Sequence, residues 1–182
     1  MPDNNELYRT RRLIARRLDR DDVDSMHAVY GNAAAMRWVD DGSPLDRGGC
    51  ARWIDITLNN YARRGYGMVA LVERNRGRVV GFCGIVHPGG QAEPEIKYAL
   101  LESRWGQGFA TEAVIGMLDF AANHLGLASM MATTAPENRA SHRVLEKAGM
   151  IRAELRQEDD GTLTQVFRWR APTGSGEAPS LD

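Results

Sequence analysis

Apolar residues along this chain follow two rhythms, one alternating and one recurring every third or fourth position. Between Thr10 and Leu18 the apolar Leu13, Ala15 and Leu18 stand among arginines, the pattern of a half-buried strand. Asp19 can cap a helix in which Val23, Met26 and Tyr30 share a face, with Gly31 as its stop. After the break at Gly42-Ser43-Pro44, Cys50, Trp53, Ile54, Leu58 and Tyr61 line a second helix. Met68–Glu73 and Val79–His87 read as strands joined through Asn75 and Gly77, a hairpin and therefore antiparallel. Glu95–Leu101 is a further strand with Ile96, Tyr98 and Leu100 on one face.

The second half shifts to the helical rhythm. Phe109, Ala113, Met117, Phe120, Ala121 and Leu125 predict an amphipathic helix that stops at Gly126. Ser129–Thr134 is a short strand. A helix then starts at Pro136-Glu137-Asn138, carries Ser141, Leu145 and Ala148 on one face, and ends at Gly149-Met150 in the Schellman manner. Ile151–Gln157 and Thr164–Trp169 close the series around Asp159-Asp160-Gly161. Residues 1–7 are expected to fray, and the Pro, Gly and Ser of residues 171–182 predict a disordered tail. One domain over residues 8–170 remains. Its seven strands, first in antiparallel hairpins and then in βαβ-like units, predict an α/β (α+β) fold with a mixed, mostly antiparallel sheet and helices on both faces.

Composition changes this picture little. Of 182 residues, 43% are hydrophobic and 26% charged, with a formal net charge of -1, so no overall field recruits nucleic acid. Arg9, Arg11, Arg12, Arg16 and Arg17 nevertheless cluster, as a solvated strand face or as an anion-facing patch. Cys50 and Cys83 are the 2 cysteines; they offer neither a disulfide framework nor a zinc site, and the histidines have no metal-ligand spacing, so no metal is expected. The opening MPDNNELYRT lacks a signal-peptide core, and no stretch approaches the ~18 apolar residues of a membrane span. A cytoplasmic protein with no membrane partner is the expectation.

The chemistry gathers at RWGQGFATEA, residues 104–113, where two glycines flank a glutamine just before a helix. Phe109 follows Gly108 where a nucleoside-triphosphate loop needs lysine. A dinucleotide fold needs an acid at the end of the next strand, where Thr133 and Thr134 stand, and needs this motif early in its domain. A third reading has the consecutive amides from Gly106 to Thr111 cradling a diphosphate at the positive helix end. The stretch alone leaves that cradle and a plain tight turn both open.

Its neighbours carry a resemblance. EIKYALLESRWGQGFATEA (residues 95–113) and APENRASHRVLEKAGM (residues 135–150) resemble motifs of the GCN5-related N-acetyltransferase superfamily, and more closely its ribosomal-protein N-terminal acetyltransferase-like branch. The resemblance extends through RRLIARRL, AMRW, ARRGYGMVALVE and GFCGIV, so it spans roughly residues 8–170. It implies that family's fold, a twisted sheet split near its middle, and acetyl-CoA as cosubstrate. Gly106, Gln107, Gly108, Phe109, Ala110 and Thr111 would hold the diphosphate, with Trp105 where relatives carry Arg or Gln. Tyr98, Ala99 and Leu100 would lie along the pantetheine as if it were an added strand, and Asn138, also a good helix cap, would contact it.

Acetyl transfer to an amine needs a deprotonated nucleophile, a polarised carbonyl and a protonated leaving thiolate. An α-amine, with a pKa near ~8, needs less help than a lysine near ~10.4. The resemblance points to direct attack in a ternary complex. Glu95 is the candidate base, through a water, against the alternative of a solvated strand-end carboxylate; Lys97 can pair with it or narrow the acceptor side. Relatives often place a tyrosine seven residues after the asparagine, but Leu145 stands there; Ser141, one turn after Asn138, is a candidate thiolate donor, against the alternative of a small polar residue bonding a preceding carbonyl. His87 is more readily structural than catalytic, and Trp38, Asp40 and Asp41 shape either an acceptor pocket or an ordinary loop. The acceptor classes are a protein N-terminal α-amine, a small-molecule amine such as an antibiotic or polyamine, or none, the chain then being an acyl-CoA-binding module. A homodimer stays open.

Overall fold

The computed structural model describes residues 5–172. The fraying expected at residues 1–4 and the disorder expected at residues 173–182 fall outside the described residues. Strand β1 (Glu6–Arg9) precedes β2 (Leu13–Arg17). Asp19 then caps a short 3-10 turn in a capping box with Asp22, leading into α1 (Val23–Tyr30). Asn32 caps the brief α2 (Ala33–Met36), and Asp46 caps α3 (Arg47–Arg64). The hairpin β3 (Met68–Glu73) and β4 (Arg78–Val86) and the strand β5 (Glu95–Leu100) follow. After α4 (Phe109–Asn123) come β6 (Ser129–Thr134), α5 (Arg139–Lys147), β7 (Ile151–Gln157) and β8 (Leu163–Arg170).

The eight strands make one sheet in the order β1-β2-β3-β4-β5-β6-β8-β7. Two expectations from the pattern need correction. Among the described residues the strands number eight rather than about seven, and residues 6 and 7 belong to β1 rather than to a frayed end. The physical reason is distant in sequence: Leu7 and Tyr8 pack on the core, and the Tyr8 ring lies 5.3 Å from that of Phe120 on α4. A four-residue strand with one apolar-aromatic pair has too short a pattern to announce itself. The C-terminus of α5 does follow expectation. Met150 N–H donates to Leu145 O at 3.0 Å and Gly149 N–H to Glu146 O at 3.0 Å, with Gly149 left-handed at φ 89°.

The sheet is buried on both faces. On one, Leu13, Leu71, Ile85, Ile96 and Leu100 pack beneath α4 and α5 with Phe109, Met117 and Leu145. On the other, Leu18, Phe82 and Ala99 meet α1 and α3 through Tyr30, Met36 and Ile54. Cys50 and Cys83 are free and buried, and burial pushes the Cys83 thiol up to about 12. No helix among the described residues is long and apolar enough to cross a membrane.

One seam departs from this regularity. Every neighbouring pair of strands is antiparallel except β5 and β6, which run parallel and meet at the single pair Glu95–Met131. Beyond it the strands part, leaving the split in the middle of the sheet.

Candidate active site

The loop after β5 is built to present backbone amides. Trp105 Nε1 donates to Leu100 O at 3.0 Å and folds the chain over the strand end. Gln107 Nε2 donates to Ser103 O at 2.8 Å, and Arg104 pairs with the buried Glu73 at 3.0 Å. Gly106 and Gly108 have φ of 68° and 80°, left-handed values costly for other residues, so the chain turns tightly into α4. Glu112 N–H bonds Gly108 O at 3.1 Å. Among the described residues the six amides from Gly106 to Thr111 have no acceptor. Unpaired donors at a helix N-terminus, under close-approach glycines, fit a diphosphate and need no metal. Among the described residues no group of three His, Cys, Asp or Glu could hold a metal ion.

Arg12 reaches this loop from the β1–β2 turn. Its Nη1 donates to Gln107 O at 2.9 Å, its Nε pairs with Glu112 at 2.7 Å, and its guanidinium lies 4.0 Å from the Phe109 ring centre. The arginine cluster is thus largely spoken for: Arg9 pairs with Glu6, Arg16 pairs with Asp22 at 2.7 Å, and Arg17 lies over Tyr61. Sequence spacing gave no sign of Arg12's partner, which stands 100 residues away.

At the seam, β5 sends alternate side chains to opposite faces. Ile96, Tyr98 and Leu100 face α4 and α5, whereas Ala99 faces α1 and α3, which puts Glu95 and Lys97 on that second face. Glu95 is 2% exposed, and its Oε1 accepts from Thr133 and pairs with Lys97. Lys97 Nζ also donates to Thr133 Oγ1 at 3.1 Å, and Gln91 Nε2 reaches Glu95 Oε2 at 3.4 Å. Glu95 is therefore buried and paired, not the solvated carboxylate weighed as its alternative. Thr133 and Gln91 carried no sequence signal for this role.

On the opposite face the Tyr98 hydroxyl lies 2.6 Å from Ser141 Oγ, bridging β5 and α5. Burial holds the Tyr98 phenol protonated well above its ordinary range, with the Ser141 bond pulling slightly the other way. Asn138 caps α5 by accepting from Ser141 N–H at 3.2 Å, and Leu145 is fully buried. The two proton-transfer candidates, Glu95 and Ser141, thus occupy opposite faces at the split. His87 is engaged at both nitrogens, by Tyr66 Oη at 2.8 Å and Gln91 O at 2.9 Å, which is its structural reading.

His142, beside Ser141, received no role from the sequence. It is 4% exposed, with Nε2 2.8 Å from Thr134 Oγ1 and 3.2 Å from Ala135 O, and with Arg152 3.2 Å from Nδ1. Burial lowers its pKa; the Ala135 bond opposes this, and Arg152 and Arg139 add to the lowering. The neutral ring then donates from Nε2 and accepts Arg152 at Nδ1.

Known proteins resemble this chain in sequence and in fold. The family model described as an acetyltransferase (GNAT) domain matches residues 12–151. YkkB of Bacillus subtilis is 34% identical over 136 residues, 72% of this chain and 77% of its own. RimL, a ribosomal L7/L12 alpha-N-protein acetyltransferase solved with coenzyme A, superposes with a TM-score of 0.77 at 17% identity, over 91% of this chain and 97% of its own. MccE, a microcin C7 self-immunity acetyltransferase solved with acetyl-CoA and AMP, gives 0.74 at 10% identity over 89% and 94%. With a matching family model over most of its length, a split sheet and an amide-lined turn at the helix start, this chain belongs to the GNAT family of acetyl-CoA-dependent acetyltransferases.

Proposed function

We propose that the enzyme acetylates a protein N-terminal α-amine by direct attack within a ternary complex. The observation that carries the choice of acceptor is the state of Glu95. A buried carboxylate whose Oε1 already engages Lys97 and Thr133 has little room to take a proton directly from an incoming ammonium. An α-amine titrates near ~8 and is partly unprotonated at neutral pH, so it needs a base chiefly after attack, when its proton becomes acidic. A lysine would need far stronger assistance beforehand.

Acetyl-CoA supplies an activated acetyl group on a thiol. The amides of Gly106, Gln107, Gly108, Phe109, Ala110 and Thr111 would hold its diphosphate, with Tyr98, Ala99, Leu100 and Asn138 along the pantetheine. Glu95 takes the amine proton through a water on the α1–α3 face. Ser141 donates a proton to the leaving sulfur on the α4–α5 face, its Oγ oriented by Tyr98. RimL, described as an alpha-N-protein acetyltransferase, supports the reading.

A thiol-release assay with acetyl-CoA tests it across unblocked peptides, N-terminally blocked lysine peptides, polyamines and aminonucleosides. Turnover of unblocked peptides, lost on blocking, is the expected result. Turnover confined to small amines would replace this acceptor with the small-molecule class. Coenzyme A binding with no thiol release from any amine would leave a binding module.

A further inference from the structure

A diphosphate cradle made of backbone amides works only if the amides point inward, and the flanking glycines make their own peptides easy to rotate. Gly106 and Gly108, both at positive φ, bracket Gln107, so the Gln107–Gly108 peptide lies between two positions where rotation is sterically cheap. That peptide is trans and planar, which sets its carbonyl and its N–H in opposite directions. Whatever grips the Gln107 carbonyl therefore aims the Gly108 N–H the other way.

Arg12 has that grip, at 2.9 Å through Nη1. It is itself fixed from several directions. Glu112, in the first turn of α4, takes Arg12 Nε on Oε2 at 2.7 Å and the Arg12 backbone N–H on Oε1 at 2.7 Å. Thr10 Oγ1 donates to the same Oε1 at 2.6 Å, and the Phe109 ring supports the guanidinium from its face. Burial pushes the Glu112 carboxyl up, but the bonds from Thr10 and Arg12 outweigh it and hold it below its ordinary value, so it stays ionised as an anchor. Arg12 Nη2 stands 3.5 Å from where a Cβ on Gly108 would sit, so the guanidinium also walls that side of the loop.

We propose that Arg12 is a positioning residue for the cosubstrate: braced by Glu112, it sets the rotation of the Gln107–Gly108 peptide and aims the Gly108 amide into the diphosphate cradle. The proposal rests on the assignment of this loop to the diphosphate. It gives the β1–β2 turn, remote in sequence from the loop, a part in cosubstrate affinity. Arg12 acts through Gly108 and does not touch the reacting atoms.

The test follows the Gly108 amide by 15N-edited NMR while coenzyme A, or pantetheine lacking the diphosphate, is titrated into wild-type protein and Arg12→Met. Methionine keeps an unbranched apolar stem at this position and removes the guanidinium. Coenzyme A affinity should fall about tenfold or more, the loss of one well-aimed charge-assisted bond, with a smaller shift of the Gly108 resonance. Pantetheine affinity should stay within about twofold, since its contacts are elsewhere. Equal coenzyme A affinity in both proteins, or an equal loss for both ligands, would overturn the brace. A wild-type Gly108 amide indifferent to coenzyme A would overturn the loop assignment itself, a different result. If Arg12→Met does not fold, Glu112→Gln undergoes the same titration with the same outcomes.

Discussion

Tyr98 on β5 and Ser141 on α5, 43 residues apart, place their side-chain oxygens 2.6 Å from each other. Both hydroxyls carry a proton, and either can donate in this bond; with the phenol as donor, Ser141 Oγ keeps its own proton to give. Replacing Ser141 by alanine should lower kcat about a hundredfold, the scale of one general acid. Tyr98→Phe should lower it about fivefold, the worth of one orienting bond, with little change in KM for acetyl-CoA. In the Ser141→Ala background Tyr98→Phe should cost nothing more. Steady-state kinetics of the four proteins check this, and independent, multiplying losses would separate the two residues.

Glu95→Gln keeps the size of the side chain and removes the proton acceptor. Its kcat should drop about a hundredfold across the pH range, because the proton leaves after attack, while the rise with the free-amine fraction near ~8 stays as in wild type. A pH profile with an unblocked peptide is the measurement; wild-type rates would remove Glu95 from the mechanism.

Gly108→Trp confronts both the conformation and the ligand. Its φ of 80° suits few residues other than glycine, so a loss of about 1–3 kcal/mol is expected in the ligand-free protein. That corresponds to a Tm several degrees lower for a chain of this size, on the order of 2–4 °C per kcal/mol. Thermal stabilisation by coenzyme A should vanish. Undiminished stabilisation would move the diphosphate to another site.

His142 gives the fold a pH dependence of definite sign. Its folded pKa lies below the unfolded value of about 6.5, because burial and Arg152 disfavour the imidazolium. The unfolded chain therefore binds a proton first as pH falls. The stability this adds is present above about pH 6.5 and is lost on acidification towards the folded pKa. A plot of Tm against pH should slope downward below about 6.5 in wild type, and the slope should flatten in His142→Asn. Equal slopes would place the acid sensitivity in the carboxylates.

Much of this fold was legible because long periodic runs such as Phe109–Asn123 and Met68–Val86 settle their own structure. The caps at Asp19, Asn138 and Gly149 were equally local. The loop glycines were legible as a motif, and the Lys97–Glu95 pair as two residues on one strand face. What escaped depends on contacts distant in sequence. Strand β1 exists because Tyr8 finds Phe120, and Arg12 differs from its arginine neighbours through Gln107 and Glu112. Thr133 joins Glu95 only because two parallel strands meet at one register, which no local pattern encodes.

That one register has a further meaning. Open strand edges normally lie at the rim of a sheet, where charge or cover keeps them from recruiting foreign strands. Here two such edges are kept indoors, facing each other across the divergence of β5 and β6 beyond Glu95–Met131. The five-stranded and three-stranded parts of the sheet are fastened by one backbone rung, with Lys97–Thr133 on one face and Tyr98–Ser141 on the other. An extended ligand in that gap would complete the sheet as a ninth member, between two halves of the same protein.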